Sequence, residues 1–428
     1  MHSFLIVAAT VTLLHFSDYH SHALPFHSEE GTDRGGIARA IGFLSRHKAE
    51  GALVFSGGDM LNKGAPAWSD RYRCAEWTWL DGIVDAMAFG NHDADYGYRE
   101  FAACRDAVRY PILSANTGGF PPYTVLESNG IRIGVFAVAG SDFPSLVRAA
   151  APELRFGDPV AAAREAVRTL REVEKVDAVV LIGHESAPDD FALARKVPGI
   201  DLIFGTHSHL KQDLMRIPGT QTWFVSPSQY LASISRVKME FAGSGLTGVS
   251  GGLVPVDSRM DADRGIETRV AAMRAALRED PRYREFFVPF VTLPETIGVP
   301  ALAALTVEMM RESAGADLAL STASSFRSPL PAGPIDLETL RAALPYDNEI
   351  VVVQLPAARA RELLAYAGRQ KGDWSAFTTG TVKGETAIVA TTDYLATMAA
   401  GYRDFFQGAV IKRTGVRVRE EVKRKLEK

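Results

Sequence analysis

The chemically capable residues of this 428-residue chain fall in five short clusters, each behind an apolar run. They are Asp18-x-His20, Gly58-Asp59, Gly90-Asn91-His92-Asp93-x-Asp95, Gly183-His184 and Gly205-x-His207-x-His209. Each cluster alone reads equally well as a turn or a surface pair, since Asn and Asp favour turns for reasons of their own. The recurrence carries the argument: five apolar runs end in carboxylate, imidazole or amide groups, while others, such as Ile131 to Ala137, end plainly. The set contains no cysteine, which suits Zn, Mn, Fe or Co rather than a structural thiolate site. Two cations held close together need a shared carboxylate to screen their repulsion, and Asp59, alone after its glycines, is the natural bridge.

The strands and helices that carry these groups follow an α/β rhythm. Val11 to Phe16 is rich in β-formers and delivers Asp18 and His20. A helix from Gly36 to Lys48 follows, then strands Ala52 to Phe55, ahead of Asp59, and Ala86 to Phe89, ahead of Asn91. Pro111 to Ala115 stops at Asn116, and Tyr123 to Leu126 pairs with Ile131 to Ala137 across a turn at Asn129-Gly130. Val160 to Val173 reads as an amphipathic helix, Ala178 to Ile182 and Leu202 to Phe204 as strands, and the hairpin-like stretches Thr222 to Val225 and Ile234 to Phe241 close the unit. In such sheets ligands collect beyond the carboxyl ends of the strands. Between Asp257 and Asp280, Ile266, Val270, Met273 and Leu277 recur at helical spacing, which predicts a connecting helix. A second unit then mixes helices (Pro300 to Ala314, Leu337 to Leu344, Ala357 to Gln370) with strands (Ile350 to Leu355, Thr386 to Ala390). Lys412 to Lys428 reads as a solvated terminal helix.

Composition narrows the class. A hydrophobic fraction of 46% and a charged fraction of 23% are those of a soluble globular protein, and the length argues for more than one domain. A net charge of −4 offers no field for nucleic acid. The sequence has no apolar run long enough to predict a membrane span. Met1 to Leu14 lacks a positive n-region, so the chain as written reads as cytoplasmic, with a truncated signal and a periplasmic or exported protein as the alternative. The two cysteines, Cys74 and Cys104, leave their pairing open, and the oligomeric state is likewise open.

With these motifs in this order, residues 11 to 241 resemble the calcineurin-like metallophosphoesterase domain of the 5′-nucleotidase family, whose relatives include UDP-sugar hydrolases and cyclic-nucleotide phosphodiesterases. The resemblance implies an α/β fold, a sandwich of two β-sheets flanked by helices, with a smaller α+β C-terminal substrate domain. On that basis residues 1–255 form the metal domain, 256–290 a linker and 291–428 a shortened substrate domain. It further implies two divalent metal ions, one held by Asp18, His20, Asp59 and His209, the other by Asp59, Asn91, His184 and His207. His92 is then not a ligand but faces the substrate phosphate, oriented by Asp95, while Asp93 has no direct role. A metal-bridging hydroxide attacking phosphorus in line is the implied chemistry.

The second unit resembles the family's substrate domain at Ser325-Phe326-Arg327, Leu344-Pro345-Tyr346-Asp347-Asn348 and Thr392-Asp393-Tyr394. The resemblance implies that Tyr346 and Tyr394 sandwich a nucleobase and that Arg327 binds the substrate, a nucleoside 5′-monophosphate. Two departures point away from nucleosides. Thr322-Ala323-Ser324-Ser325 stands where the family carries an asparagine and glycines, and Ala400 stands where it carries a carboxylate for ribose hydroxyls. The alternatives are therefore a phosphodiesterase or broad phosphomonoesterase acting on a non-nucleotide, or, from another class, an inactive binding protein.

Overall fold

A computed structural model of the chain describes residues 8–28, 31–63, 67–399 and 401–428. The expectations placed on the first seven residues and on Ala400 lie outside the described residues. The chain forms two compact units, one running to Ala275 and the other from Ala276 to Lys428, with a few residues near positions 27 and 67 joining the second.

The first unit is built around strand β1 (Ala8–Phe16). Val11, Leu13, Leu14 and Phe16 are all buried, so β1 is covered on both faces. Helix α1 (Ile37–Ala49) leads to β2 (Leu53–Ser56), parallel to β1 with Leu13 opposite Leu53 and Phe16 opposite Ser56. β3 (Ala86–Ala88), helix α2 (Tyr98–Asp106) and β4 (Ile112–Leu113) extend the same parallel run. The chain then enters a second sheet through the hairpin β5 (Tyr123–Ser128) and β6 (Ile131–Phe136), turned at Asn129-Gly130, both at positive φ. Helix α3 (Pro159–Arg168), β7 (Ala178–Leu181), helix α4 (Ala187–Lys196) and β8 (Leu202–Phe204) follow. The unit continues with β9 (Lys211–Arg216), β10 (Trp223–Pro227), β11 (Ser233–Ala242) and β12 (Gly245–Pro255). The sheet orders are β12-β11-β1-β2-β3-β4 and β9-β10-β8-β7-β6-β5.

The two sheets pack face to face. Val11, Leu13, Phe55 and Ala88 of the first share one buried core with Ile133, Val135, Val180 and Phe204 of the second, each large side chain contributing roughly 1.5–3 kcal/mol. On the outer face of the second sheet, Ala163 and Val167 of α3 and Leu193 of α4 cover Phe136, Val179 and Leu181. The expected hairpin-like stretches are each half of a hairpin whose other half the sequence hid. β9 is a polar edge strand without a clear alternation, and β12 carries Gly245, Gly248, Gly251 and Gly252, poor strand formers that its long register with β11 overrides.

Helix α5 (Arg264–Glu279), with Val270 and Leu277 buried, spans the division between units. The second unit holds β13 (Val291–Leu293), α6 (Val299–Ser313), β14 (Leu318–Thr322), β15 (Gly333–Ile335), α7 (Leu337–Ala343), β16 (Glu349–Pro356) and α8 (Ala357–Ala367). It ends with β17 (Ala376–Gly380), β18 (Thr386–Thr392), α9 (Asp393–Thr397), β19 (Ile411–Arg417) and α10 (Val418–Leu426). A five-stranded sheet, β17-β14-β18-β16-β19, is its frame. The solvated terminal helix expected at Lys412 to Lys428 is corrected here. Its first half is the edge strand β19 paired with β16, whose outward charges suit a strand with one neighbour, and α10 buries Val418 and Val422.

Candidate metal centre

All five polar clusters lie on loops of the first unit that follow its strands. Asp18, His20 and His209 bring one ligand atom each to within 4.8 Å of one another, and so do Asp59, His184 and His207. Asp18 and Asp59 are 0% and 1% exposed, and no lysine or arginine pairs with either carboxylate among the described residues. His184 Nε2 lies 3.2 Å from Asp59 Oδ2 and 3.9 Å from Asp18 Oδ1, and His209 Nε2 lies 3.2 Å from Asp18 Oδ1. His20 Nε2 approaches His209 Nε2 at 3.1 Å. Burial alone would lower the His184 pKa, but the carboxylates of Asp59 and Asp18 raise it to about 9. Burial works against the charge on Asp59 too, yet the neighbouring His184 and His92 hold its carboxyl well below the usual range.

These side chains fit divalent cations on the evidence of their unmet bonding. Asp18 Oδ1, Asn91 Oδ1 and His184 Nε2 are buried and make no hydrogen bond, a costly arrangement unless a cation completes it. The outer nitrogens of two histidines are already committed, His20 Nδ1 to the carbonyl of Leu61 at 3.1 Å and His184 Nδ1 to that of Gly57 at 2.7 Å. A ring anchored in this way presents its other nitrogen in fixed orientation.

The loops are held by their backbones. Asp18, His20, Asp59, His207 and His209 all have φ between 50° and 55°, in the left-handed region that non-glycine residues rarely adopt. Such strain gathers where the surroundings over-determine it. Here the N–H groups of Asp18 and His20 bond to the carbonyls of Gly58 and Asp59. Gly90 is required because a Cβ there would lie 2.2 Å from the Asp59 nitrogen.

Around His92 the geometry is equally specific. Its Nδ1 lies 2.8 Å from Asp95 Oδ2, which also accepts the Lys63 N–H at 3.0 Å. The His92 N–H donates to Asp59 Oδ1 at 2.8 Å, and its ring meets that of His20 edge-on with centroids 5.2 Å apart. Asp93 belongs to neither ligand cluster, but it is not idle. Its buried carboxylate accepts the N–H groups of Asp59, Met60 and Gly90 at 2.8–3.1 Å, tying the loop after β2 to the loop after β3.

Two further residues carry roles that the sequence reading did not assign. The strand from Ile131, read as ending plainly, leads to Asp142, whose Oδ2 lies 3.0 Å from His207 Nε2. Asn116 braces that segment, bonding the N–H and carbonyl of Ala139, which in turn pairs with His184. A Gly-Ser-Asp sequence beyond a buried strand was the available signal. His15 and His22 flank the site: His15 stacks on Phe204 and His22 on Tyr230.

Behind the first ligand loop, the buried Glu76 accepts the Tyr19 hydroxyl at 3.0 Å and Trp68 Nε1 at 2.5 Å, and burial pushes its carboxyl from 4.5 up to about 7. A folded-state pKa above the unfolded one means that the folded chain holds the extra proton. Its contribution is fully present below pH 4.5 and is lost as pH rises through 7, a change of about 3 kcal/mol. Glu76→Gln keeps the accepting oxygen without the proton. Urea unfolding at pH 4.5 and pH 8 should therefore show a pH slope flatter by about that amount in the variant, and an unchanged slope would refute it.

In the second unit, Arg327 Nη2 donates to the Tyr346 hydroxyl at 2.6 Å, and its guanidinium lies 5.6 Å from the ring centroid. Tyr394 is half-buried in α9 against the core that includes Val389 and Leu395. The segment from Ser321 to Ser325 pairs its own hydroxyls, Thr322 with Ser324 and Ser321 with Ser325.

Comparison with known proteins gives two family matches: the calcineurin-like phosphoesterase model over residues 11–211, and the 5′-nucleotidase C-terminal domain model over residues 292–385. The chain is 25% identical to protein UshA of Yersinia enterocolitica, over 86% of this chain and 78% of that protein. It is also 25% identical to a 5′-nucleotidase of Vibrio parahaemolyticus, over 86% of this chain and 76% of that one. In fold it matches the 5′-nucleotidase precursor of Thermus thermophilus, with a TM-score of 0.81 at 21% identity over 98% of this chain and 96% of that chain.

Proposed function

From a chain that belongs to the 5′-nucleotidase family, joining a calcineurin-like phosphoesterase domain to a 5′-nucleotidase C-terminal domain, we propose a metal-dependent hydrolase that converts nucleoside 5′-monophosphates to nucleoside and phosphate. The observation that carries this reading is the pair of ligand clusters beside the His92–Asp95 pair. In it, Asp18, His20, Asp59 and His209 hold one divalent cation, and Asp59, Asn91, His184 and His207 hold the other. The cations, when bound, supply an activated water at neutral pH and positive charge against the phosphoryl oxygens. Zn, Mn, Fe and Co all suit these donors, and availability decides among them.

The protein's own part is positioning and proton delivery. Asp95 takes the Nδ1–H of His92 and supports the imidazolium, whose Nε2–H is then the donor toward the phosphate or its leaving oxygen. Asp59 keeps His92 in register with the metal site through the 2.8 Å bond from the His92 N–H. Arg327, Tyr346 and Tyr394 form the substrate side, with aromatic faces for a base and a guanidinium for an anion.

A phosphate-release screen over mononucleotides, cyclic nucleotides, nucleotide sugars and sugar phosphates, with manganese present and a chelator as control, tests the reading. Nucleoside monophosphates should lead, and Tyr346→Ala and Tyr394→Ala should each raise KM about 5- to 160-fold with little change in kcat, the range for one lost stacking partner at about 1–3 kcal/mol. Indifference of KM to both changes would refute the base sandwich. The self-paired hydroxyls at Ser321 to Ser325 favour a second reading, a phosphodiesterase or broad phosphomonoesterase on a non-nucleotide, and a lead by sugar phosphates or diesters would select it. Absence of turnover under every divalent metal would leave a binding protein. The disulfide between Cys74 and Cys104 supports the exported alternative for location, since such bonds persist in oxidising compartments.

A further inference from the structure

We propose that Asp142 is a positioning residue for the second metal site, holding His207 so that its Nδ1 faces the cation. The inference rests on the dinuclear reading above. Three features of the structure support it. First, Asp142 stands at the N-cap of the short helix Phe143–Leu146, where an Asp side chain ordinarily caps the helix, yet it makes no capping bond. Its carboxylate reaches instead to His207 Nε2 at 3.0 Å. Second, the segment that carries it is built against the site. Gly140 N–H bonds the His184 carbonyl at 2.9 Å, a Cβ on Gly140 would lie 2.8 Å from Asp142 Oδ1, and the buried Phe143 ring abuts the rings of both His184 and His207. Third, His207 is anchored unlike its neighbours. His20 and His184 bond backbone carbonyls through Nδ1, whereas His207 meets a carboxylate through Nε2. That polarity is opposite, and a full negative charge behind the ring makes it the more basic donor.

The test is calorimetric titration of the chelator-stripped full chain with Mn²⁺ alone, comparing Asp142→Asn and Asp142→Ala with the parent. Asp142 is 42% exposed, so neither change opens a core cavity, and thermal unfolding of the metal-free variants checks that they fold. The parent should take up two ions. Asp142→Asn should weaken one site about 10- to 100-fold, Asp142→Ala at least as much, and the other site should be unchanged. Two parent-like affinities in both variants overturn the assignment. Equal weakening of both sites together with a lower melting temperature also overturns it, by showing a general structural effect. If the parent itself takes up fewer than two ions, the dinuclear reading fails and this inference with it.

Discussion

Replacing His92 with alanine should lower kcat about 10²- to 10⁴-fold, the range for loss of a positioned acid or of an oxyanion donor, while both metal ions stay bound. The structure explains why the two effects separate. The His92 side chain bonds to Asp95, whereas the link between His92 and Asp59 is made by the His92 backbone N–H, which alanine keeps. The ligand loops are braced from elsewhere, by Asp93 and by the backbone bonds between the Asp18 and Asp59 segments. Asp95→Asn should fall between parent and His92→Ala, because the amide still reaches Nδ1 but does not stabilise an imidazolium. Steady-state kinetics alongside metal analysis of the purified variant decides the matter. Near-normal turnover, or loss of metal, would remove His92 from the proton-donor role.

The second expectation has the opposite metal signature. Asp59→Asn should abolish tight binding of at least one ion and lower kcat/KM on the order of 10⁴-fold or more, because groups that act as a unit lose most of their joint effect when one is removed. Asp59 Oδ2 is 3.2 Å from His184 Nε2 and 3.9 Å from His20 Nε2, one from each cluster, so it is placed to serve both; Asp18 Oδ1 has the same reach, 3.2 Å from His209 Nε2 and 3.9 Å from His184 Nε2, and the family resemblance is what selects Asp59 as the shared ligand. Asparagine keeps the acceptor for the His92 N–H and approximately the same volume, which separates loss of charge from collapse of the loop. Two ions bound with parent affinity in this variant would refute the shared-ligand assignment.

The alternation of apolar runs and polar loops identified most strands of the first unit within a residue or two, and with them the loops that carry the ligands. β2, β7 and β8 are short, buried and rich in β-formers, so composition and burial agree, while β1 starts three residues before the expected Val11. β9, β12 and β19 were not legible. Each has little apolar content of its own and is a strand because a neighbour in the sheet supplies the pairing. The resemblance added the division of ligands and the roles of His92 and Asp95, which no spacing argument supplies.

Which residue types stand at the ends of which strands could thus be read directly from the chain, because donor chemistry and strand pattern are local properties. How those ends converge, and what stands behind them, depends on the packing of the two sheets. Asp18 and His209 are far apart in the sequence yet share one cluster, since β1 and the loop after β8 belong to different sheets of one sandwich. Asp93 as a tie between loops, Asn116 as a brace and Asp142 behind His207 follow from contacts across strands and sheets. Their partners are set by packing, and a side chain whose partner lies in another strand leaves no periodic trace in its own.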